Sequence, residues 1–359
     1  MAGARSPNIL LLWTDQQRND TLPCHGNDVI QAPALRRLGE ESFVFRRAYC
    51  TQPVCTPSRA SILTGQWPHR HGCVANNIPL SADIRTLAEM LPDDYERAYH
   101  GKWHLGSELT AQHGFTDWRS IEDGIYRDYY TRREDHQRRS DYHHFLIRNG
   151  FPPDSVAKDG AELFSRSFAA AMAEQFTKAS FLAGEAGRFL RARPRADRPF
   201  LLSVNFLEPH PPNFGPLNAL HDPHTVPTGP AFAQSPTHAS RHVRRFWQEI
   251  QDKGYKRHPL RHADDWRRFR ANYYGLVTLV DRALGRILAA LDESGMADNT
   301  IVVFTSDHGE MCGDHALAQK GFFNEESTRV PLMIRVPQLA RRQVMLDGPI
   351  SLVDLVPTL

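Results

Sequence analysis

Strand-length apolar runs alternate with helix-length amphipathic ones along this chain, and that alternation narrows the fold more than any other feature. Asn8–Trp13, entered from Pro7, is short and apolar, the pattern of a strand buried on both faces. Further strands are predicted at Phe43–Tyr49, Tyr95–His100, Arg198–Phe206, Thr300–Phe304 and Val330–Val336. Between them a helix is predicted from Pro33, whose fixed φ suits a first turn, with Leu35 and Leu38 behind it. Others are predicted over Ala82–Leu91, 176–192 and 271–293. The last carries Leu276, Leu279, Val280, Ala283, Leu284, Ile287, Leu288 and Leu291 on one stripe, with Gly295 as C-cap. Such a pattern predicts an α/β fold, a large, mostly parallel central sheet sandwiched by helices.

Two polar stretches interrupt it. Residues 107–160 are rich in Arg, Asp, Tyr and His, and 211–262 in Pro and His. Both are read as surface excursions over the sheet edge, where recognition loops sit. Tyr126, Tyr129, Tyr130, Tyr142 and Tyr255 within them are read as ordinary loop aromatics. No internal repeat divides the 359 residues, so 1–359 is expected to be one catalytic domain. The final Ser351–Leu359 reads as the opening of a helix.

Lys+Arg 43 against Asp+Glu 41 gives a formal charge of +2, which argues against a dedicated nucleic-acid or anionic-membrane binder. No apolar run approaches the roughly 18 residues that span a bilayer. Met1 to Pro7 leads straight into the first strand, with no room for a secretory leader. Five cysteines make no even disulfide framework. The expectation is a reducing, cytoplasmic location.

Reactive residues cluster just past predicted strand ends, which in an open parallel sheet share one ligand-binding edge. Asp15 and Gln16 follow the first strand, Lys102 and His104 the third, His210 the fourth, and Asp307 and His308 the fifth. Asp15, Gln16, Asp307 and His308 offer two carboxylates, an amide oxygen and an imidazole, a set suited to a hard or borderline divalent cation. Cys55 precedes a helix whose first turn holds Pro57, facing the positive end of its dipole beside Arg59. That setting lowers a thiol pKa and attracts anions.

The string Cys55-Thr56-Pro57-Ser58-Arg59, followed by Ala60-Ser61-Ile62-Leu63-Thr64-Gly65, resembles the first signature of the type I sulfatases of the alkaline phosphatase superfamily. Gly101-Lys102-Trp103-His104-Leu105-Gly106 resembles the second. Asp15-Gln16, Glu208-Pro209-His210-Pro211, Ser306-Asp307-His308-Gly309-Glu310, Lys320 and Glu325–Pro331 follow the family in order. The resemblance implies an alkaline phosphatase-like fold, usually completed by a smaller C-terminal subdomain that this chain would stop short of. It implies that Cys55 is oxidised to formylglycine by a formylglycine-generating enzyme. Asp15, Gln16, Asp307 and His308 would then bind one divalent cation, Ca2+ first, with Mn2+ or Mg2+ as alternatives.

The resemblance further implies that Arg59 and Lys102 hold the hydrated aldehyde. Lys320 and His210 would grip the sulfate and assist the leaving oxygen, His104 would act as base, and Asn76 would lie near the sulfate. The implied reaction is hydrolysis of a sulfate monoester of a small molecule or saccharide. Gln16 and His308 depart from the common Asp and Asn, and are shared with relatives that cleave phosphonate monoesters and phosphodiesters. Lys102 and His104 favour the sulfatases. A phosphonate or phosphodiester hydrolase is therefore the alternative, and a non-catalytic binder of anionic glycans, with Cys55 unmodified, a third.

Overall fold

The computed structural model of the protein describes residues 6–123, 133–192, 198–256, 258–339 and 342–359. Its strands are β1 (Asn8–Asp15), β2 (Phe43–Tyr49), β3 (Glu96–Gly101), β4 (Asp117–Arg119), β5 (Ser155–Val156) and β6 (Glu162–Leu163). They continue with β7 (Phe200–Pro209), β8 (Thr300–Ser306), β9 (Arg329–Val330), β10 (Leu332–Arg335) and β11 (Val344–Ser351). β5 and β6 form a separate small hairpin. The others make a sheet in the order β11-β2-β10-β8-β1-β7-β3-β4, with β9 on β2. Only β10, antiparallel to β2 and β8, and the short β9 break the parallel pattern.

The centre of this sheet is covered on both sides, which is why β1 is apolar throughout. Leu10 and Leu12 face one core with Leu202, Val204, Val302 and Phe304, packed against helices Pro33–Glu40, Lys178–Arg191 and Ala263–Glu293. Ile9, Leu11 and Trp13 face the other with Leu201, Val303 and helix Cys55–Thr64. Helix Ala263–Glu293 buries Val277, Val280, Leu284, Ile287 and Leu291 in the first core. Its Asp281 accepts the Ala34 and Leu35 N–H groups (3.1 and 2.7 Å), so one helix caps another across the layer. Among the described residues no helix is long and apolar enough to cross a membrane.

The expected Val330–Val336 strand is divided at Pro331, which has no N–H for the ladder. Ala82–Leu91 contracts to one turn, Leu87–Met90, closed by a Thr86–Glu89 capping box. The excursions are more ordered than their polarity predicts. Residues 107–160 contain β4 and helix Asp141–Arg148, whose Tyr142 is buried and donates to Phe176 O at 2.7 Å. Residues 211–262 contain helix Arg241–Lys253, capped by Ser240, which turns Phe246, Trp247 and Ile250 toward the body. Tyr126, Tyr129 and Tyr130 lie outside the described residues.

Candidate active site

β8, β1, β7 and β3 are parallel neighbours, so their C-terminal ends deliver Asp307, Asp15, His210 and Lys102 to one edge. β2 ends on the same edge and leads through Cys50–Val54 into helix Cys55–Thr64. Two glycines permit the close packing. A Cβ on Gly101 (φ +122°) or on Gly309 would collide with the carbonyl of Asn205 or Glu326 respectively.

At the centre, Asp15, Cys55, Asp307 and His308 are all buried, and one ligand atom from each lies within 4.8 Å of the others. Cys55 Sγ is 3.3 Å from His308 Nε2 and 3.9 Å from Asp15 Oδ1. His308 Nδ1 is 2.9 Å from Gly309 O, which places a proton on Nδ1 and turns Nε2 into the cluster. Asp307 Oδ1 accepts the Gln16 and His308 N–H groups (3.0 and 2.9 Å). Two carboxylates, an oriented imidazole and the side chain at 55 fit a divalent cation.

Behind this cluster stand two buried cations. Arg59 contacts Asp15 Oδ2 (2.9 Å) and Asp307 Oδ2 (3.0 Å) and donates to Lys102 O (2.9 Å) and Asn205 Oδ1 (2.7 Å). Its guanidinium lies over the Trp13 ring, 4.9 Å from the centroid. Lys102 Nζ is 2.5 Å from Asp15 Oδ2. Burial alone would raise the Asp15 pKa, but the Lys102, Arg59 and Lys320 cations hold it well below the usual carboxylate range. Burial and Asp15 likewise push the Cys55 thiol up, and Lys102, Lys320 and His308 outweigh them, bringing it to about 7.

The other expected site residues are placed as follows. Gln16 adjoins the cluster, but its amide oxygen accepts from Lys320 Nζ (2.5 Å) and its amide nitrogen donates to Glu310. Gln16 therefore links Lys320 to Glu310 beside the cluster. His104 is buried at φ +56°, its carbonyl accepting from Thr56 Oγ1 at 3.0 Å. Burial, Lys102 and Arg59 hold its imidazole well below its ordinary pKa. His210 is half-buried, with Nδ1 2.8 Å from Pro211 O, and burial and Lys320 likewise keep it neutral. A proton on Nδ1 leaves the Nε2 of the neutral ring an acceptor. Asn76 is exposed, and its Oδ1 accepts the Thr56 N–H at 3.0 Å, a capping contact on the helix of Cys55.

Sequence reasoning missed two supports. Asn205 orients Arg59, and its signal was a polar residue inside a buried strand. Glu108 accepts the Trp103 and His104 N–H groups (2.9 and 2.6 Å), although burial pushes its pKa up to about 7. Nothing in its loop sequence marks it.

The chain resembles known proteins along nearly its whole length. A family model described as Sulfatase matches residues 7–359. The chain is 31% identical over 363 residues to the sulfatase YidJ of Escherichia coli (strain K12), covering 99% of this chain and 67% of that protein. It is 29% identical to an arylsulfatase of Clostridium perfringens, covering 98% of this chain and 74% of the relative. Among solved structures, the phosphonate monoester hydrolase of Agrobacterium radiobacter matches with a TM-score of 0.72 and 28% identity, covering 98% of this chain and 72% of that one. The chain thus spans about two thirds of the length of the first curated relatives it matches.

Proposed function

The chain belongs to the sulfatase family of hydrolytic enzymes, and from that premise we propose that it hydrolyses a sulfate monoester to an alcohol and sulfate. One observation carries the reading. The side chain at position 55 opens a helix against Asp15 and His308, with the Arg59 and Lys102 cations behind it.

We propose that Cys55 matures to formylglycine through a formylglycine-generating enzyme. Hydrated, that residue supplies the attacking oxygen, and its return to the aldehyde releases sulfate. Asp15, Asp307, His308 and the side chain at 55 would hold a divalent cation, Ca2+ by the family resemblance, which would supply Lewis-acid chemistry there. Arg59 and Lys102 neutralise negative charge at position 55. His104, buried as the neutral imidazole, accepts the proton given up when sulfate is released. Lys320, tethered through Gln16 Oε1, brings a cation to the sulfate. His210 is assigned to the leaving oxygen, its Nε2 gaining a proton when the anion binds, since nearby negative charge raises an imidazole pKa.

The test is peptide mass spectrometry of the active enzyme alongside hydrolysis of 4-nitrophenyl sulfate. Oxygen in place of sulfur at position 55 is expected. A fully thiol peptide in protein that still turns over sulfate esters would sink the mechanism.

A second reading, hydrolysis of phosphonate monoesters or phosphodiesters, is favoured by the Gln16 and His308 pair and by the likeness to the Agrobacterium hydrolase. A larger kcat/KM for a phosphodiester than for the matching sulfate would select it.

A further inference from the structure

We propose that helix Arg241–Lys253 and the turn after it form a docking surface for a polyanionic, sulfated saccharide chain, which presents its scissile ester on a polymer. The proposal rests on the sulfatase reading and names its substrate class.

The whole chain carries a formal charge of only +2, but that balance hides a local excess. Residues 241–261 hold seven lysines and arginines against two acids, Glu249 and Asp252, a net charge of +5. The remainder of the chain is therefore net negative. Helix Arg241–Lys253 turns Val243, Phe246, Trp247 and Ile250 toward the body. The helical period then places Arg241, Arg244 and Arg245 on the opposite side, where all three are exposed. Exposed Lys253 and Lys256 extend the surface past the other end.

Local pairing does not account for these charges. Arg245 has a distant partner in Glu249, at 3.6 Å, and Arg244 donates to a carbonyl, Ala239 O, at 2.6 Å. The three arginines also occupy the first turns of the helix, where its dipole disfavours cations, and no acidic residue stands in the first turn. Helix stability alone would select the opposite charge there, so the arrangement answers an anion outside the helix.

The surface stands beside the site. Phe246 meets Phe322 with ring centroids 5.6 Å apart, and Val243 and Trp247 pack on the same cluster of Met311, Leu317 and Phe322. After the helix, Tyr255 OH accepts from the Gln319 amide. Lys320, whose Nζ reaches Gln16, thus lies between two residues that this element holds. The helix is about 20 Å long, more than one monosaccharide sulfate covers, so a chain carrying several sulfates is the ligand that uses its whole charge.

The test measures binding of dextran sulfate to the holoenzyme alongside turnover of 4-nitrophenyl sulfate. Binding should weaken steeply with added salt, and neutral dextran should not bind. Combined Arg241→Glu, Arg244→Gln and Arg245→Gln should weaken dextran sulfate binding about tenfold or more and flatten its salt dependence, with kcat/KM for 4-nitrophenyl sulfate unchanged. Lys253→Gln with Lys256→Gln should give a smaller loss in the same direction, and this arm decides the matter if the triple variant fails to fold. Dextran sulfate binding indifferent to both sets of substitutions would overturn the proposal, as would tighter binding of duplex DNA or phosphatidylserine vesicles through the same residues. Wild-type enzyme that binds dextran sulfate yet releases sulfate from neither it nor 4-nitrophenyl sulfate, with formylglycine verified at position 55, would instead overturn the sulfatase reading.

Discussion

Removing the Asp314 carboxylate tests how the Lys320 loop is held. Asp314 Oδ2 lies 2.9 Å from Arg18 Nη2 and 2.7 Å from Arg270 Nη2, and the side chains are 2%, 6% and 3% exposed respectively. Arg18 also donates to the Glu310 and Met311 carbonyls, and Arg270 to those of Cys312 and Pro227. The network therefore joins the exit of β1 and the long helix to the segment that runs from the end of β8 toward Lys320. Breaking a buried ion pair by removing one partner costs about 3–5 kcal/mol, because a desolvated charge remains. Both arginines keep carbonyl partners and Arg18 keeps Asp20 (2.6 Å), so Asp314→Ala belongs near the lower limit, about 3 kcal/mol. With an unfolding entropy of about 2.1 cal/mol/K per residue, the chain gives roughly 0.75 kcal/mol/K, and Tm should fall about 4 °C. Asp314→Asn, which keeps the shape and one acceptor, should lose less. Thermal unfolding and steady-state hydrolysis on the same preparations read both effects, with kcat/KM expected to drop as Lys320 loses its anchor. A Tm within a degree of wild type, as for exposed Asp83→Ala, would refute the reasoning.

Three further outcomes are expected. Chelation should abolish activity reversibly, Asp307→Ala should abolish it outright, and His308→Asn should retain some; full turnover by metal-free protein would overturn the cation assignment. His210→Ala should damage alkyl or sugar sulfate hydrolysis about 100-fold or more relative to nitrophenyl sulfate, read as kcat/KM, and equal losses would make His210 a binding residue. Glu122 is buried, which raises its pKa, yet Arg166 and Lys178 bring it down from 4.5 to about 2. Its stabilisation, on the order of 3 kcal/mol, is therefore present above about pH 4.5 and lost as pH falls through about 2. Glu122→Gln should flatten the acid decline of Tm across that window, and an unchanged slope would remove Glu122 from the account.

The central sheet was legible because β1, β7 and β8 are buried on both faces, and an unbroken apolar run of strand length has few other folds available. β11 escaped notice because Val344–Ser351 contains Gly348-Pro349, which reads as a turn. It is tolerated there because β11 is an edge strand whose register slips between Leu346 and Pro349. Helix Arg241–Lys253 was hidden by its charge. Its apolar stripe of Val243, Phe246, Trp247 and Ile250 has helical spacing, but arginines and glutamate fill the intervening positions.

The site divides along a different line. Most residues assigned to chemistry under the proposed function stand at strand exits, where a single Asp, His or Lys after an apolar run marks itself in sequence. Residues that set geometry act through backbone groups or through partners far along the chain, and no local pattern betrays them. Glu108 aligns two N–H groups in its own loop, whereas Asn205 turns Arg59 from a separate strand and Asp314 joins residues 18 and 270. Gln16 belongs to both classes. Its position beside Asp15 is that of a candidate cation ligand, and the fold adds that its oxygen accepts from Lys320 and its nitrogen donates to Glu310. An amide offers an acceptor at one end and a donor at the other, so it can bridge a cation to a carboxylate as a second Asp in its place could not. Gln at this position thus ties Lys320 to Glu310 through one side chain, which an acceptor-only Asp could not do. Gln16→Asp should cost this chain activity even though it restores the commoner residue, because Glu310 would face a like charge across a buried contact.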